Sequence, residues 1–107
     1  MAGEDAAVDL ESIARVDRLV HEPGRLIVLA CLSVVERADF LYVMRETGLT
    51  QGNLSSHLAK LEAAGYVAVE KTFAGKVPRT LLRLTDEGRQ ALRAYRDTLI
   101  DVLSRLP

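Results

Sequence analysis

Two groups of side chains have types and spacing suited to chemistry. Between Gln51 and Ala63, Leu54, Leu58 and Leu61 fall at i, i+4 and i+7, an apolar stripe when the segment is wound at about 100° per residue. The opposite face then holds Gly52, Asn53, Ser56, Ala59, Lys60 and Ala63, which are small or hydrogen-bonding and include no acid. An ordinary solvated face would mix Glu with Lys. This one offers short donors and acceptors and no bulk to hold a groove away. The second group is Lys71, Lys76 and Arg79, around Ala74-Gly75-Lys76, in a stretch whose apolar residues alternate with period two. Cations attract phosphate, and short amide and hydroxyl groups can read base edges, so together the groups suit nucleic-acid recognition.

The overall balance hides this. The formal net charge is −1, yet residues 1–24 carry two Arg against six acids, whereas residues 71–96 carry seven bases against two acids, a local +5. A basic segment on an acidic or neutral body attracts phosphate locally without a high overall pI.

Other chemistries find no residues. The single Cys31 has no intramolecular disulfide partner, and its neighbours Leu29, Ala30 and Leu32 suit a buried apolar position. His21 and His57 stand alone in different segments, and no metal-ligand spacing, phosphate-binding glycine loop or nucleophile–base pair is present. Enzymatic activity, a metal site and a cofactor have no support. No apolar run reaches the roughly 18 residues needed to cross a bilayer, and the acidic, amphipathic start is unlike a signal sequence, so no membrane partner and a cytoplasmic location are expected.

The elements that must position these groups follow from periodicity. At 107 residues and 49% apolar, a single domain with a real core is expected, residues 9–107, after a flexible stretch 1–8. Asp9 can cap a first amphipathic helix, 9–21, through Leu10, Ile13 and Val20. Pro23 suits the first position of a second helix, apolar on almost every side from Arg25 to Val35. Asp39 caps a short third helix that buries Phe40, Val43 and Met44 and stops at Gly48. Thr50 caps the fourth, with Leu49 packing across to Leu54, so residues 39–84 read as helix, tight turn, helix and hairpin. Pro78 cannot donate to a ladder, which places the returning strand, Val77 to Leu84, at an edge or starts it after Pro78. Thr85 caps the last helix, 85–107, where Leu92, Tyr95, Leu99, Val102 and Leu106 form a narrow heptad-like seam. Such a seam buries against the first helix or against a second copy of the chain, and a homodimer interface built from Leu10, Ile13, Leu92, Tyr95, Leu99, Val102 and Leu106 is expected.

The run LTQGNLSSHLAKLEAAGYVAVEKTFAGKVPRTLLRLTDEGRQAL resembles the winged helix-turn-helix transcriptional regulators of the MarR and ArsR kind. It is most similar to the small subgroup with a "T-x-G-N-L-S-x-H-L" recognition helix and an "L-T-x-x-G-R" entry to the last helix. The resemblance covers Arg25 to about Tyr95. It implies a mainly α fold with a small β-hairpin (α+β), five helices and a two- to three-stranded wing sheet. It also implies a homodimer that binds double-stranded, pseudo-palindromic operator DNA and usually represses, with room for a small-molecule effector of unknown identity. On that pattern Gln51, Asn53, Ser55 and Ser56 meet bases and nearby phosphates, and Lys76 and Arg79 lie in the wing. The chain departs from many ArsR-type proteins in lacking their cysteine-rich metal-sensing motif, and its first and last helices are short for a MarR-type protein. Lys60 and Lys71 complete the phosphate contacts expected of the site. The alternative is a winged-helix protein-interaction module; acids or large apolar residues on the fourth helix's outer face would mark it, and neither is found.

Overall fold

The computed structural model describes residues 10–107, with the backbone only for Leu10 and Ile13. Residues 1–8 and the Asp9 cap lie outside the described residues, as do the side chains of Leu10 and Ile13. In chain order the elements are α1 (Leu10–Ala14), α2 (Pro23–Ser33), β1 (Ala38–Asp39), α3 (Phe40–Thr47), α4 (Gln51–Ala63), β2 (Val67–Ala74), β3 (Val77–Leu84) and α5 (Asp86–Ser104). The fold is mainly helical with a small three-stranded antiparallel sheet, and four helices have eight residues or more, where five full helices were expected.

The difference lies in the first helix. It ends at Ala14 instead of continuing through Val20, because Asp17 offers the backbone a competing set of bonds. Its Oδ1 accepts from the amides of Leu19 (2.9 Å) and Val20 (3.4 Å). Its Oδ2 accepts from the Tyr66 hydroxyl at 2.6 Å. Val20 still turns inward and is fully buried. The apolar periodicity was real, but it continues through a turn instead of a helix.

Helix α2 is the hub, touching α3, α4, β3 and α5, with Val28, Leu29 and Leu32 buried. Glu22 caps it, accepting from the amides of Gly24 (2.8 Å) and Arg25 (2.9 Å), with Pro23 at the first position where a missing N–H costs nothing. The helix is not covered on every side as expected: Ile27 and Ala30 are exposed, and Val34 just beyond it is 81% exposed. Each later helix begins on a side-chain cap, at Asp39, Thr50 and Thr85. Gly48 and Gly65 close α3 and α4 with φ of 71° and 81°. At Gly65 the amides of Gly65 and Tyr66 return to the carbonyls of Glu62 and Leu61, both at 2.9 Å, the paired bonds of a Schellman motif.

The sheet order is β1-β3-β2, so β3 is the central strand at the sheet's base and not an edge. It accommodates Pro78 because β1 pairs only with Leu81 and Leu82. At Pro78 the far side of β3 has no neighbour, and the missing N–H leaves no ladder bond unmade.

The sequence Leu84-Thr85-Asp86-Glu87-Gly88-Arg89 forms a joint. Thr85 Oγ1 accepts from the Gly88 amide (3.0 Å) and donates to the Gly65 carbonyl (2.6 Å). The Arg89 guanidinium reaches back to the Ser33 carbonyl at 3.2 Å, and a Cβ at Gly88 would overlap the Tyr66 carbonyl oxygen. A threonine, a residue without Cβ and an arginine at this spacing lock α5 to the ends of α4 and α2.

Candidate nucleic-acid interface

Helix α4 buries Leu54, Leu58 and Leu61 and exposes Gln51, Gly52, Asn53, Ser55, Ser56, Ala59, Lys60 and Ala63, together with one acid, Glu62, at the side that faces the sheet. Thr50 Oγ1 caps it by accepting the Asn53 amide at 3.1 Å, which leaves the Asn53 side chain uncommitted. Among the described residues, the side chains of Gln51, Asn53, Ser55, Ser56 and Lys60 make no hydrogen bond or ion pair within the chain. Five polar side chains on one exposed helical surface are therefore available to an external partner.

On the underside of α4 lies His57, for which a packed role beside the leucine stripe is the expected one, against partners that the sequence did not show. His57 is largely buried, its Nδ1 lies 3.4 Å from Glu22 Oε2, and its ring packs so closely on Gly24 that a Cβ there would collide with it. That nitrogen makes no hydrogen bond, so its contact with Glu22 is charge-based when the ring is protonated. His57 belongs to the packing between α4 and the start of α2. Only the small residue at position 24 could have hinted at it.

The wing turns on Gly75 and Lys76, with Ala74 paired to Val77. Gly75 has φ of 65° and Lys76 does not enter the positive range, the pattern of a type II′ turn with Gly first. Pairing of Val67 with Leu84, Lys71 with Thr80 and Phe73 with Pro78 puts these residues on one sheet face, which near its base is the core face. Along that face Lys71 and Thr80 meet Gln51, Ser55 and Glu62 in an open groove of about 380 Å³ between α4 and the sheet. Lys76 stands exposed at the turn.

Arg79 is not brought to this groove. It pairs with Thr72 on the opposite face, and its Nε donates to Asp39 Oδ2 at 3.0 Å. The Arg79 guanidinium, with the Leu41 amide as second donor, holds the Asp39 carboxyl below its usual range. Alternation in the strand had already set Arg79 against Thr80; its partner comes from an element 40 residues earlier, which no local pattern shows.

The expected dimer seam is divided. Tyr95 and Val102 are 6% and 2% exposed, and the Tyr95 hydroxyl lies 2.7 Å from His21 Nδ1, so the chain uses both within its own body. Leu92 and Leu99 are half-buried, and Leu106 is half exposed. Leu92 and Leu99, with Leu26, Ala30, Ile100 and Leu103, form an apolar groove of about 310 Å³ between α2 and α5.

Residues 25–103 match the family described as winged helix DNA-binding domain. An uncharacterised protein of Methanocaldococcus jannaschii is 37% identical over 78 residues, covering 73% of this chain and 85% of that protein. Among solved structures, a transcriptional regulator homologue from Pyrococcus horikoshii is 29% identical with a TM-score of 0.83, the match covering 88% of this chain and 95% of that one. The PcaV transcriptional regulator of Streptomyces coelicolor, 24% identical with a TM-score of 0.69 over 88% of this chain and 71% of its own, shares the fold. The chain belongs to the winged helix DNA-binding domain family.

Proposed function

We propose that the chain is a repressor that binds pseudo-palindromic operator DNA as a homodimer in the cytoplasm. The observation that carries this is the set of uncommitted side chains on α4, two of which, Gln51 and Ser55, share one groove with Lys71. The N-terminal half of α4 enters the major groove, where Gln51, Asn53 and Ser56 hydrogen-bond base edges, Ser55 lies close by, and Lys60, Lys71 and Lys76 hold phosphates. Asn and Gln pair best with adenine, so base readout favours A·T pairs. A protein-interaction surface would instead carry acids or large apolar groups on the outer face of α4, where Gly52, Asn53, Ser56, Ala59 and Lys60 stand.

One copy supplies few cations, and useful affinity needs two, with recognition helices about 34–36 Å apart. The surface that supports pairing is the apolar groove of α2 and α5, extended by Ile100 (60% exposed) and Leu103 (53%).

The test is a titration of the segment upstream of the protein's own start codon at several salt concentrations. Three cations per copy imply about six phosphates for the dimer, and a slope of log K against log salt near −5. A flat salt dependence would end the proposal.

A further inference from the structure

The wing tip carries apolar groups that the fold leaves uncovered. Phe73 is 68% exposed, and Val77, on the opposite face of the hairpin, is 64% exposed. Pro78 lies directly across from Phe73 in the hairpin, so the two form an apolar pair. That pair continues the row that begins with Lys71 and Thr80 beside α4, so it projects from the sheet face that borders the candidate interface. From Lys71 to Arg79 there is no acid, and Lys71 and Lys76 flank the pair on the near side and at the turn. The type II′ turn of two residues keeps the tip narrow.

A narrow, acid-free ribbon with lysines around a planar apolar side chain suits the minor groove, which is about 6 Å wide and walled by phosphates. We propose that Phe73, backed by Pro78, is a wedge that enters the minor groove next to α4, partly unstacks one base step and bends the duplex. This rests on the proposed DNA-binding role of α4. Apolar wedges of this kind kink DNA by about 20–90°, and pyrimidine–purine steps yield most easily, so the wedge adds a preference for such a step at a position that α4 does not touch.

The probe is a duplex selected by the full-length protein from a randomised pool and labelled with a donor and an acceptor dye at its two ends. Wild-type protein should shorten the end-to-end distance on binding and raise the fluorescence of 2-aminopurine placed at the step beneath the wing. Phe73→Ala should lose both signals and about tenfold or more in affinity, the size of one lost base–aromatic stack, while Phe73→Leu keeps part of the bend. Because Phe73 is exposed, melting temperatures of both variants should match wild type. Tight binding without a bend, or an equal bend with Phe73→Ala, overturns the wedge and leaves the role of α4 standing. Phe73→Ala that changes the mass of the free protein and not the bend assigns the tip to contact between copies, and also overturns it. Recovery of no duplex from the pool removes the DNA-binding reading itself, and the wedge with it.

Discussion

The Arg79 guanidinium donates to Asp39 Oδ2 at 3.0 Å, which clamps the wing to the residue that caps α3. Arg79 therefore has a different task from Lys71 and Lys76, although the three wing cations look alike in sequence. Arg79→Ala should lower stability by less than about 1 kcal/mol, as befits a partly exposed pair, and leave the salt slope of DNA binding nearly unchanged. Lys71→Ala and Lys76→Ala should each reduce that slope by about 1 and weaken all sequences alike. Asn53→Ala should mainly erode discrimination between sequences. Denaturant melts and salt titrations on the four variants decide the matter; equal salt effects for Arg79 and Lys71 would contradict the assignment.

Stability should fall at both ends of the pH range, for identifiable reasons. The Tyr66 hydroxyl donates to Asp17, and this bond, with burial and the Asp17 charge, raises the phenol from 10.0 to about 12. The folded state holds the neutral phenol, so the contribution is complete below the unfolded value and is lost as pH rises through about 12. Glu22 is lowered, first by the Gly24 amide, against an opposing effect of burial. Its contribution is present above its ordinary value and is lost as pH falls through the depressed one. Melting temperature against pH should therefore lose alkaline sensitivity in Tyr66→Phe and acid sensitivity in Glu22→Gln.

Gly88→Ala should be costly, although Ala is ordinarily the better helix former. The added methyl would meet the Tyr66 carbonyl oxygen and the Leu84 side chain, and overpacking of this kind costs about 1–3 kcal/mol. Gly52→Ala is the control: nothing lies within 4 Å of a Cβ there, and it should stabilise by about 0.5–1 kcal/mol. Denaturant melts should move in opposite directions.

Ile100→Glu and Leu103→Glu test the proposed pairing surface without disturbing the core, since both side chains are exposed in the single chain. Sedimentation velocity should show monomers, and operator affinity should fall at least about tenfold as the second recognition helix is lost. A dimer that survives both substitutions would place the contact elsewhere.

Local pattern carried most of the fold. The leucine stripe of α4, the caps at Asp39, Thr50 and Thr85, and the glycine closures at Gly48 and Gly65 each act within a few residues, and the structure has all of them. The small polar face was legible for the same reason, because a period of 3.6 assigns each residue a direction once the buried stripe is known. The first helix misled because one side chain, Asp17, gives its oxygens to nearby amides and to Tyr66, 49 residues away. The seam misled at Tyr95, whose hydroxyl meets His21 across 74 residues.

The sequence by itself thus determined the buried leucine stripe of α4, where the helices after the first begin, and that a basic hairpin follows a small polar helix. Only the tertiary structure decided which partners those residues meet: Asp39 for Arg79, Glu22 and Gly24 for His57, α4 for Lys71. Direction is set by backbone period, which each segment carries alone; partnership is set by how separate segments pack, which no segment carries.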